Sequence, residues 1–169
     1  MDSPTSLQSP PSSTEPPRRS RWPKIIGLTS AGLVLLVLAA ILIPCLMNGM
    51  IAADESSAIG SLRAIATSQI HFSEEHLERG FAKSLVELRP SVVDGQIDLA
   101  LTSGTKNGYV FTLTPGAPDA SGVIKKYTVT ASPQTFGKAG VRSFFVDETG
   151  IIRYTAENRR ASASDPPLQ

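Results

Sequence analysis

Two histidines are the first candidates for chemistry, because imidazole binds metal ions and transfers protons near neutral pH. His71 and His76 enclose the sequence Phe-Ser-Glu-Glu, which is one residue longer than the interval in the zinc-protease pattern H-x-x-E-H. On a helix, side chains five residues apart point about 140° from each other, so this pair shares one ion poorly. His71 and Glu75, four residues apart, could clamp a surface metal. We favour a solvated helix face and predict no metal site.

Aspartates further along the chain are the second candidates. Asp94 with Asp98, or Asp119 with neighbouring carbonyl groups, could hold a calcium ion. Calcium takes about six to eight oxygen ligands, and the sequence has no loop dense in carboxylates. Loop carbonyls can compensate, so a calcium site in a loop stays open as an alternative, and we expect no resident cofactor.

The remaining motifs do not indicate an enzyme. Residues 104–108, Gly-Thr-Lys-Asn-Gly, have the composition of a phosphate-binding loop but not its spacing, and a strand follows them. The serines lack the G-x-S-x-G elbow. Because no nucleophile, base and orienting group can be assembled, we predict that the chain is not an enzyme and has no small-molecule substrate.

Charge and cysteine content exclude other classes. Sixteen basic residues balance fifteen acidic ones, and a nucleic-acid partner would need a concentrated basic face. The single cysteine, Cys45, cannot form an intrachain disulfide. It lies in an apolar run, where we expect it to act as a small apolar side chain.

An uncharged run decides the class of protein. Residues 25–47 contain no charged side chain over 23 positions. As a helix they would be about 34 Å long, which exceeds the roughly 30 Å hydrocarbon core of a membrane. A cleaved signal sequence has an apolar region of only about 7–15 residues. We therefore predict a retained transmembrane helix over residues 25–51, in contact with membrane lipid.

The charges that flank this helix predict its orientation. Before it lies a Pro- and Ser-rich segment, residues 1–24, which we predict to be disordered. Basic residues crowd the end of that segment, whereas the other flank begins with acidic ones. The positive-inside rule then places the N-terminus in the cytoplasm and the later residues outside. The topology-setting residues are Arg18, Arg19, Arg21 and Lys24.

Beyond the anchor, the hydrophobic period predicts a helix that continues to residue 79 and stops at Gly80. Pro44 should bend it within the membrane. An apolar stripe is expected to face a domain, and acidic and basic side chains, Glu55 among them, to face water. The predicted stripe is Ile59, Leu62, Ile65, Ala66, Ile70, Ser73 and Leu77.

From residue 108 the period changes to two, which predicts four strands, each with one apolar face. Apolar side chains alternate with polar ones around residues 109–114, 127–131, 144–146 and 152–154, and residues 147–150 read as a tight turn. Residues 84–88 suggest a helical turn before Pro90, and residues 97–101 fit a helix or a strand. A helix followed by an antiparallel sheet predicts an α+β domain over residues 52–155, with a flexible tail over 156–169.

Four segments resemble the type IV pilins and pseudopilins of bacteria: residues 38–44, 52–63, 103–109 and 144–153. The resemblance implies a subunit held in the inner membrane by a long helix, with its sheet domain in the periplasm or outside the cell. It also implies that the helix can bundle with other pilin-like subunits, since packed helices and lipid are similarly apolar. The residues expected to serve both as anchor and in helix packing are Leu38, Ala39, Ala40, Ile43 and Pro44.

The sequence departs from that family at the processing site. Aligned on Pro44, the cleavage-site glycine falls at Trp22, and the acidic residue of the mature helix falls at Gly27. We therefore expect the N-terminus to be retained. Two functions remain open. One is a non-cleaved or minor structural component of a type IV pilus or type II secretion assembly. The other is a non-polymerising single-pass protein that presents a binding domain through residues 115–122 and 134–140.

Overall fold

The computed structural model describes the backbone of residues 22–88 and 99–169, and the side chains from residue 36 onward except 39, 43–45 and 99 within those ranges. Residues 1–21 of the predicted disordered segment, and Asp94 and Asp98, lie outside the described residues. The elements in chain order are α1 (Trp22–Glu75), α2 (Leu99–Thr102), β1 (Thr105–Lys106), β2 (Tyr109–Pro115), β3 (Tyr127–Pro133), β4 (Ser143–Asp147) and β5 (Arg153–Thr155). A long helix followed by an antiparallel sheet confirms the α+β prediction.

Contacts divide the chain into two units, Met1–Ile41 and Leu42–Gln169. In the first unit the described residues are helical from Trp22, and Leu36 and Leu38 expose half or more of their surface. The second unit contains the rest of α1 and the whole sheet. The helix assignment passes through Pro44 without interruption, and the bend expected there stays a prediction.

The helix α1 ends at Glu75, four residues before the predicted end. The chain then turns sharply, with the N–H groups of Arg79 and Gly80 both donating to the carbonyl of His76. Gly80 has a φ of 72°, and a Cβ there would collide with the carbonyl of Ile124. Gly80 therefore marks the turn as expected, but the last helical turn is given up so that the chain can fold back against Ile124.

One face of α1 packs on the sheet. Ala58, Leu62 and Ile65 are almost fully buried in the core, with Phe72 partly buried at its margin. Burying each Leu or Ile contributes about 1.5–3 kcal/mol. The predicted stripe is correct at its centre and wrong at its C-terminal end. Ile70 is 49% exposed, and Leu77, which lies beyond the helix, is 77% exposed.

Near the C-terminal end of α1 the buried residue is a glutamine, Gln69, and not the predicted Ile70. Gln69 is fully buried, and its side-chain amide bonds the backbone of Ala82 in both directions. Nε2 donates to the Ala82 carbonyl at 3.2 Å, and the Ala82 N–H donates to Oε1 at 2.8 Å. This pair of bonds ties the segment after Gly80 to the helix.

The sheet is antiparallel throughout, in the order β1-β2-β3-β4-β5. Its helix-facing side contains the aligned residues Phe111, Ala131, Phe144 and Tyr154. The four predicted strands are confirmed, as is the turn at residues 147–150, where Gly150 has a φ of 73°.

The fifth strand, β1, was not predicted. Thr105 and Lys106 pair with β2 across a two-residue turn, Asn107-Gly108, whose φ angles are 45° and 72°. Two positive φ values define the turn type that joins twisted antiparallel strands, and Asn-Gly is its strongest sequence signal. The segment interpreted as a turn is therefore a complete small hairpin.

Two short segments complete the core. α2 resolves the ambiguous residues in favour of a helix from Leu99, with Leu101 buried. Residues 85–88 form a turn that buries Leu85 and Leu88, while Pro90 lies outside the described residues.

The C-terminal segment, expected to be a flexible tail, instead lies along β5. Tyr154 N–H donates to Pro166 O at 3.1 Å, and Leu168 N–H donates to Ile152 O at 2.8 Å. Because Pro167 has no N–H to donate to a further strand, this segment also covers a sheet edge that could otherwise pair with another chain.

An ion pair fixes the tail, which explains why its polar composition was misleading. Asp165 is 7% exposed and accepts two hydrogen bonds from the Arg159 guanidinium, one of 2.9 Å from Nη1. Its Oδ2 also accepts from the Ser162 N–H at 2.7 Å. The hydrogen bonds from Arg159, followed by those from Ser162, hold the pKa of Asp165 well below its usual range.

The lowered pKa of Asp165 predicts how the tail responds to acid. A carboxyl group with a depressed pKa stabilises the folded state fully above its ordinary pKa of about 3.9 and loses that effect below it. Hydrogen-exchange protection of the Ser162 amide should therefore stay constant from pH 7 to about pH 5 and fall only in stronger acid. Asp165→Asn should lower it between pH 7 and about pH 5, whereas Glu157→Gln, at an exposed carboxylate that also contacts Arg159, should change it little. Equal protection in Asp165→Asn and the unaltered chain would contradict this assignment.

Gln69→Ala should destabilise the domain strongly, because it leaves the Ala82 N–H and C=O buried without partners. Each unsatisfied group costs about 1–3 kcal/mol. The measurement is equilibrium unfolding of the full chain in detergent micelles. Gln134→Ala, at an exposed position, is the matched control and should change stability by no more than about 0.5 kcal/mol. Similar losses in both variants would refute the role of Gln69.

Candidate functional site

The predicted anchor residues lie on α1. Leu38 and Ala40 are exposed. Ala39, Ile43 and Pro44 belong to the helix backbone, with side chains outside the described set. Lys24 also belongs to the helix backbone, whereas Arg18, Arg19 and Arg21 precede the first described residue.

The surface of this part of α1 is apolar. Among the described residues, one helix is long and apolar enough to cross a membrane. Leu36, Leu46 and Met50 each expose 66–70% of their surface. Exposed apolar side chains of this kind are unfavourable in water and favourable in hydrocarbon. This agrees with a single-pass membrane protein.

Where α1 leaves its apolar stretch, it carries a buried carboxylate. Glu55 was predicted to face water, and this was wrong, because the residue is 3% exposed. Its Oε1 accepts hydrogen bonds from the backbone N–H groups of Val141 and Arg142 at 2.9 and 3.1 Å. Its Oε2 accepts from Nε and Nη2 of Arg142 at 2.7 and 2.6 Å. The residues just before β4 are thereby fixed to the helix.

Aromatic side chains support this junction. The Tyr109 hydroxyl donates to the carbonyl of Arg142 at 2.8 Å, and burial, followed by the nearby charge of Glu55, raises the pKa of Tyr109 well above its usual range. The Arg142 guanidinium lies 5.7 Å from the ring centres of both Phe144 and Tyr154. A Cβ on Gly140 would overlap the Tyr109 hydroxyl, so only glycine allows this approach.

The junction is suited to holding two elements together rather than to catalysis. A carboxylate has about four acceptor positions, and the four hydrogen bonds to Glu55 occupy them. A second contact lies beside it, where the Asn107 amide donates to the Ser57 hydroxyl at 2.8 Å. Both the β1–β2 turn and the loop before β4 are thus attached to the same turn of α1.

The histidines contact the helix end instead of each other. His76 stacks on Phe72 with ring centres 4.2 Å apart, and its Nδ1 lies 3.0 Å from the Phe72 carbonyl. His71 lies 3.8 Å from the carboxylate of Glu74 on an exposed surface. Over the described part of the chain, no group of three His, Cys, Asp or Glu side chains is placed to hold a metal.

The remaining predicted candidates are engaged in local structure. Asp119 pairs with Lys125 at 2.7 Å and accepts from the Ser121 hydroxyl and the Val123 N–H. The hydrogen bond from Lys125 is the main cause of its lowered pKa. Residues 104–108 belong to the β1–β2 hairpin.

Sequence reasoning missed Glu55, Gln69 and Arg142, although a signal existed for two of them. Glu55 and Gln69 continue the buried series of Ala58, Leu62 and Ile65 at intervals of three and four residues. A polar residue in register with an apolar stripe predicts a buried, bonded group. Arg142, in a loop, had no comparable pattern.

Comparisons with protein-family models, with curated proteins and with solved structures found no match to this chain.

Removing Glu55 should be among the most destabilising single changes in the domain. Glu55→Ala leaves two N–H groups and the partly exposed Arg142 without their partner, and each unsatisfied N–H group costs about 1–3 kcal/mol. Equilibrium unfolding in detergent micelles measures the loss. Glu74→Ala, which removes an exposed carboxylate, should cost less than about 1 kcal/mol. The double variant Glu55→Ala/Arg142→Ala should lose less than the sum of the single losses, and strict additivity would contradict the coupling.

Proposed function

We propose that this chain is a membrane-anchored, pilin-like structural protein. In this role it is a non-cleaved or minor component of a type IV pilus or type II secretion assembly in the inner membrane. The observation that carries the proposal is the continuous helix α1, which exposes its described large apolar side chains between residues 36 and 50 and packs on a sheet from Glu55 onward. The resemblance of residues 38–44 and 52–63 to type IV pilins is the reason for choosing this role.

The junction at Glu55 suits a structural subunit. A domain that must transmit position or force through a membrane helix needs a stiff connection to it. Glu55 and Ser57 supply bonded contacts within two residues of each other on α1, and Gln69 supplies another further along. The N-terminus lies in the cytoplasm and the sheet domain in the periplasm or outside the cell, as the flanking charges favour.

A second function is favoured by one specific feature, the missing processing signature at Trp22 and Gly27. A chain that keeps its N-terminal segment would be a single-pass protein that presents its domain without polymerising. Residues 115–122 and 134–140 would then be its contact loops. The two functions differ in whether the anchor helix contacts other pilin-like subunits.

Photo-crosslinking in native membranes separates these functions. A photoreactive amino acid at Leu46, which is 66% exposed, should give an adduct that mass spectrometry identifies as a pilin-like subunit. The matched control is Leu77, 77% exposed at the far end of the domain, which should not give that adduct. Adducts with lipid alone at position 46 would overturn the structural proposal and favour the single-pass alternative.

Retention of the N-terminus is tested by intact mass. The protein purified from membranes after an alkaline carbonate wash should have the mass of the full chain, because Trp22 and Pro23 replace the expected cleavage site. Loss of residues 1–22 would show that the chain is processed. Release into the carbonate supernatant would instead refute the anchor.

A further inference from the structure

We propose that residues 134–141, here called the interfacial loop, lie against the lipid headgroups, with Phe136 entering the membrane interface. The inference rests on the proposed anchor and adds a second membrane contact, made by the domain itself. Its partner is a lipid surface that contains anionic headgroups.

The interfacial loop is attached to α1 close to the exposed apolar residues of the helix. Val141, at its end, is bonded to Glu55 through its backbone N–H. Glu55 lies five residues beyond Met50, which is still 66% exposed and apolar, or about 7.5 Å along the helix axis. The headgroup layer on each side of a bilayer is about 5–8 Å thick. A loop attached at Glu55 therefore lies at the level of the headgroups when Met50 is in hydrocarbon.

The interfacial loop lies at one particular end of the sheet. Tyr109 pairs with Pro133 at the end of the sheet that Glu55 and Ser57 contact. The opposite end, where Pro115 pairs with Tyr127, lies beside Phe81, which follows the C-terminal end of α1. Residues 134–141 connect β3 to β4 at the first of these ends. The loop thus lies at the end of the sheet nearest Met50 and the apolar residues before it on α1.

The interfacial loop exposes apolar and basic side chains. Phe136 and Val141 are 36% and 41% exposed, and Lys138 between them is exposed as well. An exposed aromatic ring beside a cation is typical of interfacial segments, and a cation near an anionic membrane gains about 1 kcal/mol. The turn at the opposite end of the sheet also exposes an apolar residue, Ile151, but follows the acidic Glu148, which an anionic surface would repel.

The loop is also compact, as a surface that meets a membrane must be. The N–H groups of Lys138 and Ala139 both donate to the Thr135 carbonyl, at 3.1 and 3.0 Å, and Gly137 N–H donates to Gly140 O at 2.8 Å. These bonds satisfy backbone groups that would otherwise be costly to remove from water.

The test uses the full chain reconstituted in vesicles of phosphatidylcholine and phosphatidylglycerol. Trp22→Phe removes the only natural tryptophan, and Phe136→Trp then places an indole in the loop. Lipids brominated at different depths should quench this indole most strongly with bromines near the headgroups, roughly 10–15 Å from the bilayer centre. Ile151→Trp in the same background is the matched control and should not be quenched. Lys138→Glu should reduce quenching of the loop indole in vesicles with phosphatidylglycerol.

Flotation of the same vesicles tests the membrane anchor separately from the loop contact. If the protein floats and the loop indole is quenched no more than the Ile151→Trp control, the interfacial loop is refuted while the anchor stands. If the protein does not float, the anchor and the loop contact both fail. Depth-dependent quenching at position 136 alone, in protein that floats, supports the loop contact.

Discussion

The ion pair between the buried Glu55 and the partly exposed Arg142 is the interaction on which the arrangement of the domain depends. Taking the Glu55 carboxylate out of water is costly, and its hydrogen bonds and ion pair offset that cost only when the geometry is held. Holding it requires the backbone before β4, the hydroxyl of Tyr109 and the close approach of Gly140 all at once. The sheet therefore has one favourable position on α1, set at the turn where the helix leaves its apolar stretch.

This position allows one helix to serve two environments. Between residues 36 and 50 the described large apolar side chains are exposed, which suits lipid or other apolar helices. After Asp54 the same helix buries a narrow stripe against β2, β3 and β4. Most of the stripe is aliphatic, but Glu55 and Gln69 hold it to the loops that the sheet presents. Packing supplies the larger part of the stability, whereas the two polar residues fix the register between helix and sheet.

The elements with a strong period could be predicted from the sequence. The alternation around Tyr109, Tyr127 and Phe144 located the strands, and the apolar run located the long helix. Polar residues whose partners are distant in sequence could not be predicted, because Glu55 meets Arg142 across 87 positions. The order of the tail could not be predicted either, because it depends on hydrogen bonds between Arg159 and Asp165 that no hydrophobic pattern indicates. The contacts between Glu55 and Arg142 could therefore not be predicted from local sequence patterns. The spacing of Glu55 from Leu62 did indicate that Glu55 is buried.

The central claim, that α1 runs without a break from lipid into the domain, is tested most directly by hydrogen exchange of the full chain in lipid nanodiscs. We expect continuous protection of the α1 amides from residue 46 through Gln69, including the stretch between Gly49 and Ser57 where the exposed apolar side chains end. Rapid exchange confined to that stretch would mean that the domain hangs from the anchor by a flexible link. It would contradict the fixed junction described above.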